Sequence, residues 1–473
     1  MKKTRLLLTA LVCAAIGPLH APAQIEGSAS PLEVVSFTLK QAVTVALERN
    51  PEVLRRREQT NEFNHLVRQA RSEALPEIRS ALGFSRTRDP GLLNSPFFSQ
   101  LLEDPTSGFD ESAAAAFFFS NYLWRFEVEQ PIYTFGRVSN ALAAAREELD
   151  GGELDVRELE NSVSRDVYVA LYGYLLARRQ LEVLETEGRA RERQLTQVQD
   201  RFELEDATRL DVLRAQVALG NLKPTLLSAQ NDVNVSLALV NDTLGRPVEA
   251  PFEVLAELTI PSPHPRVPTV SELLGYADAH RPELLRFGKD KSVLDARVGV
   301  SRSALKPSIS ANLSYGISTF GFRNAGDLRF RSWTAGVQMD WTFFDGYRTQ
   351  SEVAVLRSQR TQKDLEASSF RSSLALDLKR AAGDLDRTLA SVRSAEVAVE
   401  QAREAQRVAE ETYRWGAATV LDVLESERAL REAEFNLAQA GHDTLVAVAE
   451  IKYLVGVPAD EPLSFLEPNG ESP

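Results

Sequence analysis

Asp422 and Glu425 stand three residues apart, so on a helix they share one face. A carboxylate pair at that spacing is this chain's best candidate for general acid–base work. Nothing else in the sequence supports catalysis. His65, His264, His280 and His442 show no metal-ligand spacing, and there is no G-x-S-x-G, no phosphate-binding loop and no thiol beyond Cys13. With no stretch supplying a substrate pocket, no enzyme activity, metal centre or cofactor is expected. The plainer reading of the pair is that a helix dipole favours acids in its first turn.

The element that carries the pair occurs twice. Residues 412–424, TYRWGAATVLDVL, match residues 201–213, RFELEDATRLDVL, at six of thirteen positions, including Ala-Thr and Leu-Asp-Val-Leu. In each copy a long proline-free run ends at an aromatic, Tyr413 or Phe202, and a second helical run begins after Thr419 or Thr208. Threonine is a good N-cap, and Gly416 suits the left-handed residue that closes a helix. Each copy reads as a hairpin tip between two helices, about residues 202–211 and 413–422, with the two tips side by side.

The match continues at the same offset of 211 from Tyr133/Phe344 and Arg137/Arg348 to Gly245/Gly456 and Pro247/Pro458. Upstream the offset is 231, where TLKQAVTVALERNPEVL from Thr38 matches TVSELLGYADAHRPELL from Thr269 and Pro76 matches Pro307. The first copy therefore holds 20 extra residues between Pro76 and Tyr133. Residues 137–202 and 348–413 contain no proline, and each would span about 100 Å as a continuous helix. The return helices run only to Leu244 and Leu454, so a return helix and the helix before the strands, end to end, match one long helix.

Between those helices the period drops from 3.6 to 2. Ile78, Leu82 and Phe84 alternate with small or polar neighbours, as do Tyr122, Trp124, Phe126 and Val128. In the second copy Ile309, Ala311, Leu313, Tyr315 and Ile317 form one such face, and Trp333, Ala335, Val337, Met339 and Trp341 another. Strands are expected at about 77–87, 121–132, 308–319 and 331–343. Alternation of this kind fits a membrane β-barrel strand, and also a soluble sheet packed on helices. Trp124, Trp333 and Trp341, three of the four tryptophans, lie in these strands, as expected for an aromatic girdle at a lipid interface. Backbone facing lipid must be paired, so a membrane sheet has to close, and four strands per chain are too few. Two copies would give eight strands and three would give twelve, of which only twelve leave a lumen.

The two copies set the organisation. Lys2, Lys3 and Arg5, the apolar run 6–16 and Ala21-Pro22-Ala23 mark residues 1–23 as a secretory signal. A first repeat spans 24–246, a segment with six prolines spans 247–268, a second repeat spans 269–457, and 458–473 reads as a tail. Loss of the leader takes the formal net charge from −13 to −16, which argues against nucleic acid as a partner.

Together these features resemble the outer-membrane efflux protein family of the TolC type. The carriers are the Thr38 motif, the Ala-Leu-Pro and Leu-Lys-Pro starts of the strands, the PIYTFGR and FFDGYR exits into the long helices, and the two L-D-V-L tips. The resemblance implies a mainly α fold with a membrane β-barrel, in which a homotrimer shares twelve strands in the outer-membrane lipid and a helical tunnel reaches into the periplasm. It also implies partners, a periplasmic adaptor and an inner-membrane transporter, and the role of passive conduit in efflux or type I secretion. At the tunnel entrance it assigns the acidic positions to Asp422 and Glu425, a gating tyrosine to Tyr413 and its facing aspartate to Asp211. Adaptor docking falls on Gly416, Thr419, Leu421, Thr208 and Leu210. The family's latch arginine is replaced by Ala418, and Glu205 stands where the first tip usually has glycine. A non-conducting periplasmic coiled-coil spacer would explain the helices but not the strands, and a stand-alone porin the reverse.

Overall fold

The computed structural model describes residues 35–87, 119–205, 207–255, 264–319 and 327–463, with positions 96, 100, 258 and 466. The leader expected at 1–23, most of the loop carrying the 20 extra residues and the end of the 458–473 tail lie outside the described residues.

In the first half, β1 (Val35–Phe37) leads into α1 (Leu39–Arg49) through Thr38. The Thr38 hydroxyl accepts from the Gln41 N–H at 3.3 Å while Gln41 Oε1 accepts from the Thr38 N–H at 3.0 Å, a reciprocal cap. Asn50 ends α1 and caps α2 (Pro51–Ser72), where Pro51 occupies a first-turn position that needs no N–H. Then come β2 (Glu77–Thr87), β3 (Phe119–Tyr133), α3 (Arg137–Glu203), α4 (Arg209–Thr243) and β4 (Phe252–Val254). The second half runs α5 (Val270–His280), α6 (Pro282–Ser303), β5 (Ser308–Thr319), β6 (Arg331–Asp340), α7 (Arg348–Arg414) and α8 (Val420–Val455). Both α3 and α7 are 67 residues long. β6 stops at Asp340, short of the expected 343, because its partner β5 begins at Ser308, opposite Asp340; the Trp341 indole N–H then donates to the Leu305 carbonyl at 3.1 Å.

Each long helix is flanked twice along its length. Near the strands the neighbours run α2, α3, α6, α7, and toward the tips they run α4, α3, α8, α7. At the waist, Ala42, Ala46 and Val53 bury against Val167 and Leu171 of α3 and Leu244 after α4. A second cluster joins Leu273 and Ala277 to Leu378 and Leu385 of α7 and Ile451 of α8. The proline-rich segment contributes to the first cluster, since β4 pairs in parallel with β1 and Phe252 meets Phe37 at 5.4 Å between ring centroids. Above the waist α3 passes close to its neighbours. A Cβ on Gly152 would lie 2.6 Å from the Phe63 ring of α2, and one on Gly151 would meet the Arg286 guanidinium of α6.

Candidate functional site: the sheet and the helical tips

The four long strands form one antiparallel sheet in the order β2-β3-β5-β6. Its register places Ile78, Leu82 and Phe84 beside Val128, Trp124 and Tyr122, and these beside Leu313, Ile317 and Thr319. Tyr315 stands next to Trp333 and Leu313 next to Ala335. One face is thus mostly apolar and aromatic across all four strands and largely exposed, with Leu82 84% and Trp333 72% exposed, whereas Ile317 and Thr319 near the end of β5 are buried. The other carries Arg79, Arg125, Glu127, Asn312, Ser314 and Thr334. Among the described residues β2 and β6 pair on one side only, leaving two edges with unsatisfied backbone groups. Trp124 and Trp333 lie toward the loop ends of their strands and Trp341 at the helical end. Trp341 follows directly on the last residue of β6, eight positions after Trp333, which at strand rise puts the two about 27 Å apart. No helix among the described residues is long and apolar enough to cross a membrane.

At the opposite end of the molecule, α3 turns into α4 and α7 into α8. The second turn closes with Gly416 at φ 75°, where the Gly416 N–H donates to Tyr413 O and the Ala417 N–H to Thr412 O, capping the last carbonyls of α7. Glu205, at the matching position of the first turn, takes the same left-handed conformation at φ 64° although it is not a glycine. Thr419 and Thr208 cap the return helices. The Asp422 carboxylate accepts from the Thr419 N–H at 2.7 Å and its hydroxyl at 2.8 Å. Asp211 accepts from the Thr208 N–H at 3.1 Å and hydroxyl at 2.6 Å. The Thr419 backbone N–H, then its hydroxyl, hold the exposed Asp422 carboxyl below the usual carboxylate range. Asp422 and Glu425 lie exposed on one face of the start of α8, and Glu425 forms no ion pair among the described residues.

The tips meet through a small apolar cluster of Val198, Val212 and Val420 with Tyr413 beside it. Tyr413 does not reach Asp211 within the protomer. Its ring lies under the Arg201 guanidinium at 4.5 Å, and Arg201 also reaches the carbonyls of Tyr413 and Arg414 at 3.5 Å each. A cation thus bridges the two hairpins from the first tip, although position 418 is alanine. Leu210 and Leu421 are about half exposed, and Thr208, Gly416 and Thr419 are exposed, so all five expected docking positions lie on the outer surface of the tips.

Two to four turns in from the tips lies a polar cluster that sequence reading did not single out. Buried Glu187 of α3 accepts from Arg431 of α8 at 2.6 and 2.8 Å and pairs with Arg191 at 2.5 Å. Arg191 also donates to the Ala218 carbonyl of α4. Glu427 of α8, 7% exposed, is buried beside them. The only sequence signal was a pair of i, i+4 Glu-Arg spacings, 187/191 and 427/431, which look like ordinary surface pairs. Among the described residues no group of three or more His, Cys, Asp or Glu is arranged to hold a metal.

The geometry agrees with comparisons to known proteins. The chain is 25% identical over 372 residues to the alkaline protease secretion protein AprF of Pseudomonas aeruginosa, covering 75% of this chain and 74% of that one. To the outer membrane protein TolC of Vibrio cholerae it is 24% identical over 475 residues, covering 98% and 97%. The CmeC outer membrane channel of Campylobacter jejuni superposes with a TM-score of 0.72 at 13% identity, over 90% of this chain and 87% of that one. The family model described as "Outer membrane efflux protein" matches residues 42–246 and 273–457, and the chain belongs to that family.

Proposed function

We propose that the chain is the outer-membrane channel of a tripartite efflux or type I secretion system, a passive conduit from the periplasm to the exterior. The observation that carries this reading is the four-stranded sheet with one largely exposed apolar face and, among the described residues, two unpaired edges. In lipid such edges have to be paired, and three copies joining β2 to β6 give a twelve-stranded barrel wide enough for a lumen. The polar face, with Arg79, Arg125 and Glu127, then lines that lumen. Exposed apolar residues on the outer helices, Val217, Leu227 and Val235 of α4 and Val355, Leu365 and Val397 of α7, become the contacts between protomers that extend the barrel as a periplasmic tunnel.

The halves 24–246 and 269–457 are read as a duplication joined by 247–268, preceded by a signal at 1–23 and followed by a tail at 458–473. The tunnel's tips contact a periplasmic adaptor through Gly416, Thr419, Leu421, Thr208 and Leu210, and the adaptor connects to an inner-membrane transporter. Asp422 and Glu425 from each copy ring the entrance and attract cations, with Tyr413 and Asp211 holding neighbouring tips together. Single-channel recording of the purified trimer in a planar bilayer tests this reading, comparing the native chain with Asp422→Asn/Glu425→Gln, which retains acceptors for the Thr419 cap. Discrete cation-preferring steps that lose their preference in the variant are expected. A monomeric, non-conducting particle would refute the shared barrel.

A further inference from the structure

We propose that Glu427 is a proton-operated tether between the two tip hairpins, whose neutral form holds α8 against α3 and whose ionised form lets the second hairpin part from the first. The side chain is buried, and its Oε2 meets no hydrogen-bond donor among the described residues. The groups around it explain why. From α3 it faces Glu187, Arg191 and Arg193, from α7 it faces Glu410, and Arg431 lies one turn on along α8 itself. The guanidiniums around it are largely engaged elsewhere: Arg191 bonds Glu187 and the Ala218 carbonyl, Arg431 bonds Glu187, and the Arg193 Nε–H donates to the Arg189 carbonyl. That leaves the Arg191 Nε–H as the one buried guanidinium donor beside Glu427 without a partner among the described residues. Glu410 is engaged by Gln406 at 3.1 Å and stands 3.8 Å from Arg414. Glu427 is therefore the carboxylate of the cluster whose buried oxygen is left without a donor. Ionised in place, it would be a buried charge with no hydrogen bond to Oε2, a state that proteins avoid by protonation or by movement.

Burial pushes the Glu427 carboxyl up to about 7. A hairpin that swings away returns it to water and to an ordinary carboxylate value near 4.5. Because the docked value is the raised one, docking is favoured at low pH and loses ground as pH rises from about 4.5 to about 7, then levels off. Linkage makes the parted population grow about tenfold between pH 6 and pH 8.5. Apart from the Glu187–Arg431 pair, the tips are tied together by three valines with Ala207, Leu424 and Tyr413 beside them, and by Arg201. The seam therefore lies where a change of one proton per protomer can be felt.

The inference rests on the conduit reading only for what parting the tips accomplishes. To test it, nitroxide labels are placed at Leu204→Cys and Trp415→Cys, which are 78% and 87% exposed on the two tips. The full chain carries Cys13→Ser, and the label distance distribution is measured at pH 6 and 8.5, with and without Glu427→Gln. The amide keeps the shape of the neutral acid and cannot ionise. A longer-distance population that grows about tenfold at pH 8.5 in the native background, and stays fixed in Glu427→Gln, is the expected result. Equal shifts in both backgrounds, or none in either, would overturn the tether. Bilayer conductance of the same proteins separates the two readings: a pH-dependent distance change without conductance supports the tether and removes the conduit.

Discussion

Glu187 is expected to be the anchor of the tip seam, and Glu187→Gln measures its contribution. In the native protein one buried carboxylate binds two largely buried guanidiniums, Arg191 at 2.5 Å and Arg431 at 2.6 Å. Removing one member of a buried ion pair costs about 3–5 kcal/mol, because the partner's charge stays behind without compensation. Here the replacement is unusual, since Glu427 already lies beside the freed arginines. It can ionise and take over part of Glu187's role, which places Glu187→Gln near the lower limit, about 3 kcal/mol. In a Glu427→Gln background no such rescue exists, and the same substitution should approach about 5 kcal/mol, a coupling of about 2 kcal/mol between the two sites. The assay is native-state amide hydrogen exchange over residues 187–198 and 420–431, which reports local opening without unfolding the barrel. A loss of 3 kcal/mol appears as about a hundredfold faster exchange. Rate changes below about threefold in both segments, or equal effects in the two backgrounds, would refute the idea that these charges hold the seam. The sign of the pH response also follows. With the arginines free, the Glu427 carboxyl falls toward its ordinary value, and the weakening near pH 7 moves to lower pH.

Three further outcomes are expected. Leu313→Arg, on the apolar face between Val128 and Ala335, should cost about 2–4 kcal/mol and reduce membrane-assembled trimer on a semi-native gel, whereas Ser314→Arg on the opposite face should assemble and lower conductance. Gly152→Val drives a branched side chain into the Phe63 ring and should cost about 1–3 kcal/mol, seen as faster exchange across α2 and the adjoining part of α3, while Gly173→Ala, with open space at its Cβ, should not destabilise. Thr419→Ala removes the hydroxyl that accepts from the Asp422 N–H at 3.3 Å and should cost about 1 kcal/mol, confined to exchange in the first turn of α8.

Those outcomes divide along what the sequence made legible. The strand starts were readable because Pro76 and Pro307 stop a 3.6-residue period and a 2-residue period begins at once, and the register then puts every aromatic of the alternation on one face. The length of α3 and α7 was readable from the absence of proline. The converse rule would have failed in α4, which runs unbroken through Pro224, where the carbonyl that loses its donor belongs to Gly220. The pairing of β1 with β4 left no local trace, since three residues matched to three others more than two hundred positions away carry no periodicity of their own. The polar seam was hidden for a different reason. Helical spacing shows that Glu187 and Arg191 share a face, as do Glu427 and Arg431, but a charged stripe turned to water and one turned to another charged stripe have the same spacing. Which one holds is decided by tertiary placement. The apolar clusters shrink from the waist, through Leu184 and Leu222, to three valines at the tip, and charge pairs take over as they do. Few buried apolar contacts and many polar ones are what the low-stability end of a fold looks like. By that measure the waist is the more stable part of the helical portion, and the tips are the part expected to open first in hydrogen exchange.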